Sequence, residues 1–120
     1  MTRNIIAVVD DLFFASKIRG TAEELGLTVT FARNLDALIE ALHRVQPTLI
    51  ICDLHSLKVD PMAVAQQLKA DEQLRSILLL GFFSHVQTEL QRRAEAAGFD
   101  RVLPRSAFSK NLGEILLGTK

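Results

Sequence analysis

Three aspartates define the chemistry open to this chain: the adjacent pair Asp10 and Asp11, and Asp53 much later. Each stands where an apolar run gives out, Ile5 to Val9 in the first case and Leu49-Ile50-Ile51-Cys52 in the second. A carboxylate inside a buried strand is costly, but at the carboxyl end of a parallel strand it faces the crevice where α/β sheets bind ligands. If the two strands are neighbours across the point where the winding reverses, three carboxylates share that crevice. Like charges held so close raise one another's pKa unless a cation intervenes. Oxygen-only ligands in a wet, open cleft suit Mg²⁺ or Mn²⁺, which keep several waters. The plainer reading is a helix cap, open to Asp10 and Asp11 separately. Capping alone accounts less well for acids at two strand ends.

The rest of the sequence supplies the elements that would hold these acids. The continuous apolar run before Asp53 reads as a strand buried on both faces, the pattern of a parallel sheet covered by helices. Ile5 to Val9 reads as the first strand. A helix follows from about Leu12 to Leu25, with Phe14, Ile18 and Leu25 inward, weakened by Gly20 and ended by Gly26. Leu27 to Phe31 is a second strand. Asn34 then caps a helix to about Val45, whose Leu35, Leu38, Ile39, Leu42 and Val45 give the clearest helical period in the chain.

After the central strand, Asp60-Pro61 pairs a capping side chain with proline at the first helical position, and that helix runs to about Ala70. Ile77 to Leu80 reads as the fourth strand. Ser84 with Gln87 predicts a capping box for a helix ending at Gly98. Arg101 to Leu103 is a short fifth strand, and Ser106 is read as the cap of a last helix with Phe108, Leu112, Ile115 and Leu116 inward. Five βα units with right-handed crossovers predict a doubly wound parallel sheet.

Composition narrows the function classes. With 120 residues, 48% of them hydrophobic and 23% charged, the chain suits one globular domain with a real core. Formal net charge is zero, so no global field draws it to nucleic acid or acidic lipid. The single cysteine, Cys52, excludes an internal disulfide and reads as a small core residue in a reducing, cytoplasmic setting. No apolar run has membrane-spanning length, and no signal peptide precedes the first strand.

Val8-Val9-Asp10-Asp11 after an apolar strand, Asp53 ending the third strand, and five βα units together resemble the receiver domain of bacterial two-component response regulators. The resemblance covers essentially the whole chain. It implies a flavodoxin-like (CheY-like) doubly wound sheet of five parallel strands, order 2-1-3-4-5, in three α/β/α layers, as one domain over residues 1–120. It also implies that Asp11 binds Mg²⁺, that Asp10 supports it, and that Asp53 accepts phosphate from a histidine kinase. The backbone carbonyl of His55 would be a further metal ligand.

The same resemblance exposes departures. The family carries Thr or Ser after the fourth strand, a position read here as Gly81, with Phe82 where a small residue is usual. At the end of the fifth strand the family has Lys-Pro; this chain has Leu103-Pro104-Arg105, with Pro104 at the lysine position and Arg105 one residue on. The family's aromatic switch residue aligns with Arg101. Losing one preorganised donor from an electrostatic site costs on the order of 3 kcal/mol, so two such losses imply slow phosphorylation. An atypical, or pseudo-, receiver is the pattern these residues resemble.

Other constellations are weak. His43, His55 and His85 fall on different elements without metal-ligand spacing. No glycine-rich phosphate loop follows the first strand, and no serine has a nucleophile-elbow context. The leading expectation is a two-component signalling module, not an enzyme, with impaired phosphorylation, acting through protein contacts. The alternative is a competent receiver phosphorylated on Asp53 with Mg²⁺, Arg105 supplying the charge. A third is a small Mg²⁺-dependent phosphohydrolase, disfavoured because His55 stands where such enzymes carry a second Asp. The expected partners are a sensor histidine kinase, a downstream effector or a second copy of the chain, with no nucleic acid or membrane. The expected partner face lies on the fourth helix, fifth strand and fifth helix, where an exposed Phe82 or Phe83 beside Arg101 would have the character of an interface hot spot.

Overall fold

A computed structural model describes residues 3–84 and 87–119. Among these residues five strands alternate with helices: β1 (Asn4–Val8), α1 (Leu12–Glu24), β2 (Thr28–Phe31), α2 (Leu35–Val45), β3 (Leu49–Asp53), α3 (Pro61–Ala70), β4 (Leu78–Phe83), α4 (Thr88–Ala97), β5 (Arg101–Pro104), α5 (Arg105–Lys110) and α6 (Leu112–Leu117). The strands form one sheet in the order β2-β1-β3-β4-β5. Every pairing is parallel. The expected doubly wound sheet is therefore the observed one.

Side chains alternate across the strands and divide the core in two. Ile6, Val8, Ile50, Cys52, Leu79 and Phe83 pack on one face beneath α2, α3 and α4. Ile5, Ala7, Leu49, Ile51, Leu80 and Phe82 pack on the other beneath α1, α5 and α6. All five residues of β3 are buried, as a central strand covered on both sides requires.

Local signals explain the starts of α2 and α3. Asn34 caps α2, its Oδ1 accepting from the Ala37 N–H at 2.7 Å. Asp60 caps α3, accepting from the Met62 N–H at 3.0 Å, with Pro61 at the first helical position. Gly26, with φ of 72°, provides the left-handed turn after α1 that a side chain would strain.

Four expectations are corrected. Leu25 lies past the end of α1 and is exposed, because the helix stops one residue before it could turn inward. The capping box at Ser84 and Gln87 does not form: α4 begins at Thr88, and Gln87 makes no capping side-chain bond. The last helix is two short ones, broken at Asn111, and Pro104 rather than Ser106 precedes it. Most consequentially, β4 runs three residues past Leu80, to Phe83.

Candidate functional site

Because β1 and β3 are neighbours, their carboxyl ends bring Asp10, Asp11 and Asp53 to one edge of the sheet. Asp53 closes β3 on the strand parity of Leu49 and Ile51, the face covered by α1 and α5. Only 9% exposed, it is the one buried charged side chain among the described residues. Its Oδ1 accepts from the His55 N–H at 2.9 Å. Burial pushes its pKa up; the His55 N–H and the charges of His55 and Arg105 pull the other way, and Asp10 adds to the rise.

Asp11 has the opposite environment. Its Oδ1 caps α1, accepting from the N–H groups of Phe13 at 2.9 Å and Phe14 at 3.2 Å. Its Oδ2 accepts from the Arg105 guanidinium at 2.8 Å. The Arg105 hydrogen bond, then the Phe14 N–H, hold its carboxyl below the ordinary aspartate value of 3.8. The helix-cap reading thus describes Asp11, with an ion pair added.

Asp10 is a strut rather than a ligand in waiting. One oxygen accepts from the Ser56 hydroxyl and the other from the Leu57 N–H, both at 2.8 Å, tying the end of β1 to the loop after β3. Ser56 in turn accepts from the Val59 N–H. Sequence reading gave Ser56 no role, since its partner lies on another strand.

The expected Mg²⁺ site of Asp10, Asp11, Asp53 and the His55 carbonyl is not assembled by this arrangement. Among the described residues no three His, Cys, Asp or Glu side chains are grouped to hold a metal ion. Both oxygens of Asp10 and both of Asp11 are engaged, and the partner of Asp11 is itself a cation. In this arrangement Arg105, rather than a divalent ion, is the charge that meets Asp11.

Arg105 is the first residue after β5, and its guanidinium lies 4.2 Å from the centre of the Phe14 ring. Phe14 packs against Phe82 at 4.9 Å and Phe108 at 5.6 Å between ring centres, and Phe82 stacks on Phe108 at 5.0 Å. The cation therefore rests on a three-ring core. Pro104, read from sequence at the lysine position, pairs in register with Phe83 and carries no charge to the acids; Arg105 makes that contact.

The longer β4 also relocates the hydroxyl position. Gly81 lies inside the strand, opposite Cys52, and is not the residue that follows the strand. A Cβ there would stand 2.7 Å from a Leu54 methyl and 3.0 Å from the Phe99 ring, which is why glycine occupies it. The residue after β4 is Ser84, exposed, so a hydroxyl does follow the fourth strand. The signal that could have found it was the unbroken apolar character of Phe82-Phe83.

The expected partner face needs a matching correction. Phe82 and Phe83 are 1% and 6% exposed, one in each core layer, and neither offers a surface. Arg101 is exposed but pairs with Leu80, at the far end of β5 from the Phe83–Pro104 pair. His43 is an exposed residue of α2, and His85 lies outside the described residues. Cys52, fully buried beside Asp53, has its thiol pushed up to about 12 by burial first and by the Asp53 charge second.

No protein-family model and no curated protein matches the chain. Solved structures do. A response-regulator signal receiver domain from Bermanella marisrubri superposes with a TM-score of 0.83 at 20% identity, covering 99% of this chain and 98% of that one. A chemotaxis response regulator of Vibrio cholerae gives 0.83 at 17% identity over 100% of both chains. The phosphorylated response regulator of a cyanobacterial phytochrome gives 0.81 at 19% identity, over 98% and 91%. These likenesses show that the fold of this chain is that of the response-regulator receiver domain.

Proposed function

We propose that this chain is a receiver module of two-component signalling in which Asp53 is the controlling residue and phosphoryl acceptance is impaired. The observation that carries the reading is the position of Asp53. It is a buried carboxylate at the end of the central strand, one oxygen already held by the His55 N–H. Burying a carboxylate is expensive, so its retention at the end of the central strand points to use rather than stability.

Impairment follows from charge and occupancy. Phosphoryl transfer depends on positioned cations that neutralise the incoming oxygens. Here Arg105 is a cation hydrogen-bonded at the site, and it is engaged with Asp11. Output would then run through contacts with a protein, for which a sensor histidine kinase, a downstream effector or a second copy of the chain are the candidates.

Ser84 favours a second reading, a competent receiver. A hydroxyl after β4 and a cation after β5 are both available in kind, and one fold neighbour is a phosphorylated response regulator. Mass spectrometry after treatment with a small-molecule phosphodonor and Mg²⁺ separates the two. Slow or undetectable modification of Asp53 is expected. Rapid, stoichiometric modification that disappears in Asp53→Asn would establish the competent reading instead.

A further inference from the structure

Hydrogen bonds alone do not bar a metal from a carboxylate, which has about four lone-pair sites and can serve two partners at each oxygen. The engaged oxygens of Asp10 would therefore still leave room for an ion. What distinguishes Asp11 is that its second oxygen is taken by a full positive charge, brought from 94 residues away. A divalent cation approaching Asp11 meets that charge at close range and is repelled by it.

Several features hold the guanidinium there. Its Cα is fixed at the start of α5, directly after β5. Its guanidinium carbon lies over the Phe14 ring, which packs against Phe82 and Phe108. Lys17 on α1 donates to the Ser109 hydroxyl on α5, so the two helices that carry Asp11 and Arg105 are linked a second time. Arginine also stays charged at any pH the fold survives, so the group does not vacate by deprotonation as a lysine can.

We propose that Arg105 is the resident cation of the acid site, taking the place of a divalent metal ion, and that removing its charge converts Asp10, Asp11 and Asp53 into a Mg²⁺ site. The inference deepens the receiver reading and rests on it. It assigns Arg105 a dual role: it neutralises the acid corner in the ground state, and it blocks the metal that phosphoryl transfer would require.

The test is titration of the full chain with Mg²⁺ alone, followed through backbone amide shifts of residues 10–14 and 53–57. Wild type is compared with Arg105→Ala and with Arg105→Gln, which keeps most of the side chain's cover of Phe14. Either folded neutral variant is expected to bind saturably, at least about tenfold more tightly than wild type, a difference of about 1.4 kcal/mol. The proposal is overturned if wild type binds as tightly as both variants, or if both fold and neither responds. Treating the same variants with a phosphodonor reads the other question. A variant that binds Mg²⁺ while Asp53 stays unmodified upholds the inference about Arg105, whereas wild type that is rapidly modified on Asp53 overturns the impaired-receiver reading independently of it.

Discussion

On the β1–β3 side of the crevice the strand ends carry carboxylates held by directional bonds, to the N–H groups of Phe13, Phe14, His55 and Leu57 and to Ser56 and Arg105. On the β4–β5 side the matching positions carry Phe82 and Phe83, held by volume, and an exposed Pro104. Both sides belong to one sheet, yet they respond to substitution by different physics. Directional bonds to a partly wet carboxylate can be exchanged at modest cost, so the acid side is free to change its chemistry. Close packing penalises any change of volume, so the other side is committed to structure.

The largest effect that would break this contrast is at Phe82. Fully buried in the three-ring cluster, it should lose roughly 3–5 kcal/mol of stability as Phe82→Ala in urea or thermal unfolding, the range for buried aromatics. A loss below 1 kcal/mol would show the ring dispensable and the packing account wrong. Next comes Gly81→Ser, which forces a Cβ onto Leu54 and Phe99 and should cost roughly 1–3 kcal/mol, the usual range for overpacking. Unchanged stability there would mean that the strand can shift to make room.

A smaller effect, of opposite sign, belongs to the acid side. Asp53 has a folded pKa above its unfolded one, so the folded state binds its proton more tightly. Its unfavourable contribution is absent below about pH 3.8, grows as pH rises toward the folded pKa, and is complete above it. Asp53→Asn is therefore expected to be more stable than wild type at pH 7, with the difference shrinking on acidification. Asp11 runs the other way: its folded pKa is depressed, so the stability it contributes is present above 3.8 and lost as pH falls through the folded value. Unfolding curves of Asp53→Asn and Asp11→Asn against wild type between pH 2 and 7 check the two signs; parallel curves would remove the distinction between the two carboxylates.

The smallest effect lies away from both sides. Gly20, mid-helix in α1, has nothing within 4 Å of an added Cβ, so Gly20→Ala should gain about 0.5–1 kcal/mol, from helix propensity alone. A loss instead would reveal a constraint on α1 that packing does not display.

How much of this was legible follows the range of each interaction. Asp60-Pro61, Asn34 and Gly26 act within a turn of themselves, and the elements they start or stop lie where their residue types place them. The apolar run into Asp53 likewise betrays a central strand, because burial on both faces removes the alternation an edge strand would show. The acid site was legible in its members but not in its state. That Asp11 is paired depends on Arg105, on another strand end, and that Asp10 is a strut depends on Ser56. Gly81 misled for a physical reason: glycine inside a strand reads as a terminator, while its actual cause, the approach of Leu54 and Phe99, is visible only in three dimensions.

Cys52 gives the molecule an internal clock for opening. It is the single thiol of the chain, sealed within β3, with its ionisation pushed up to about 12. A thiol-specific alkylating reagent needs thiolate and access, and the native state withholds both. Labelling of Cys52 should therefore proceed only through opening events that release the central strand, at a rate set by their population. Since β3 lies between β1 and β4, local fraying at the sheet edges would not register. One mass shift per molecule would then report the stability of the sheet's centre, without denaturant and without an optical probe.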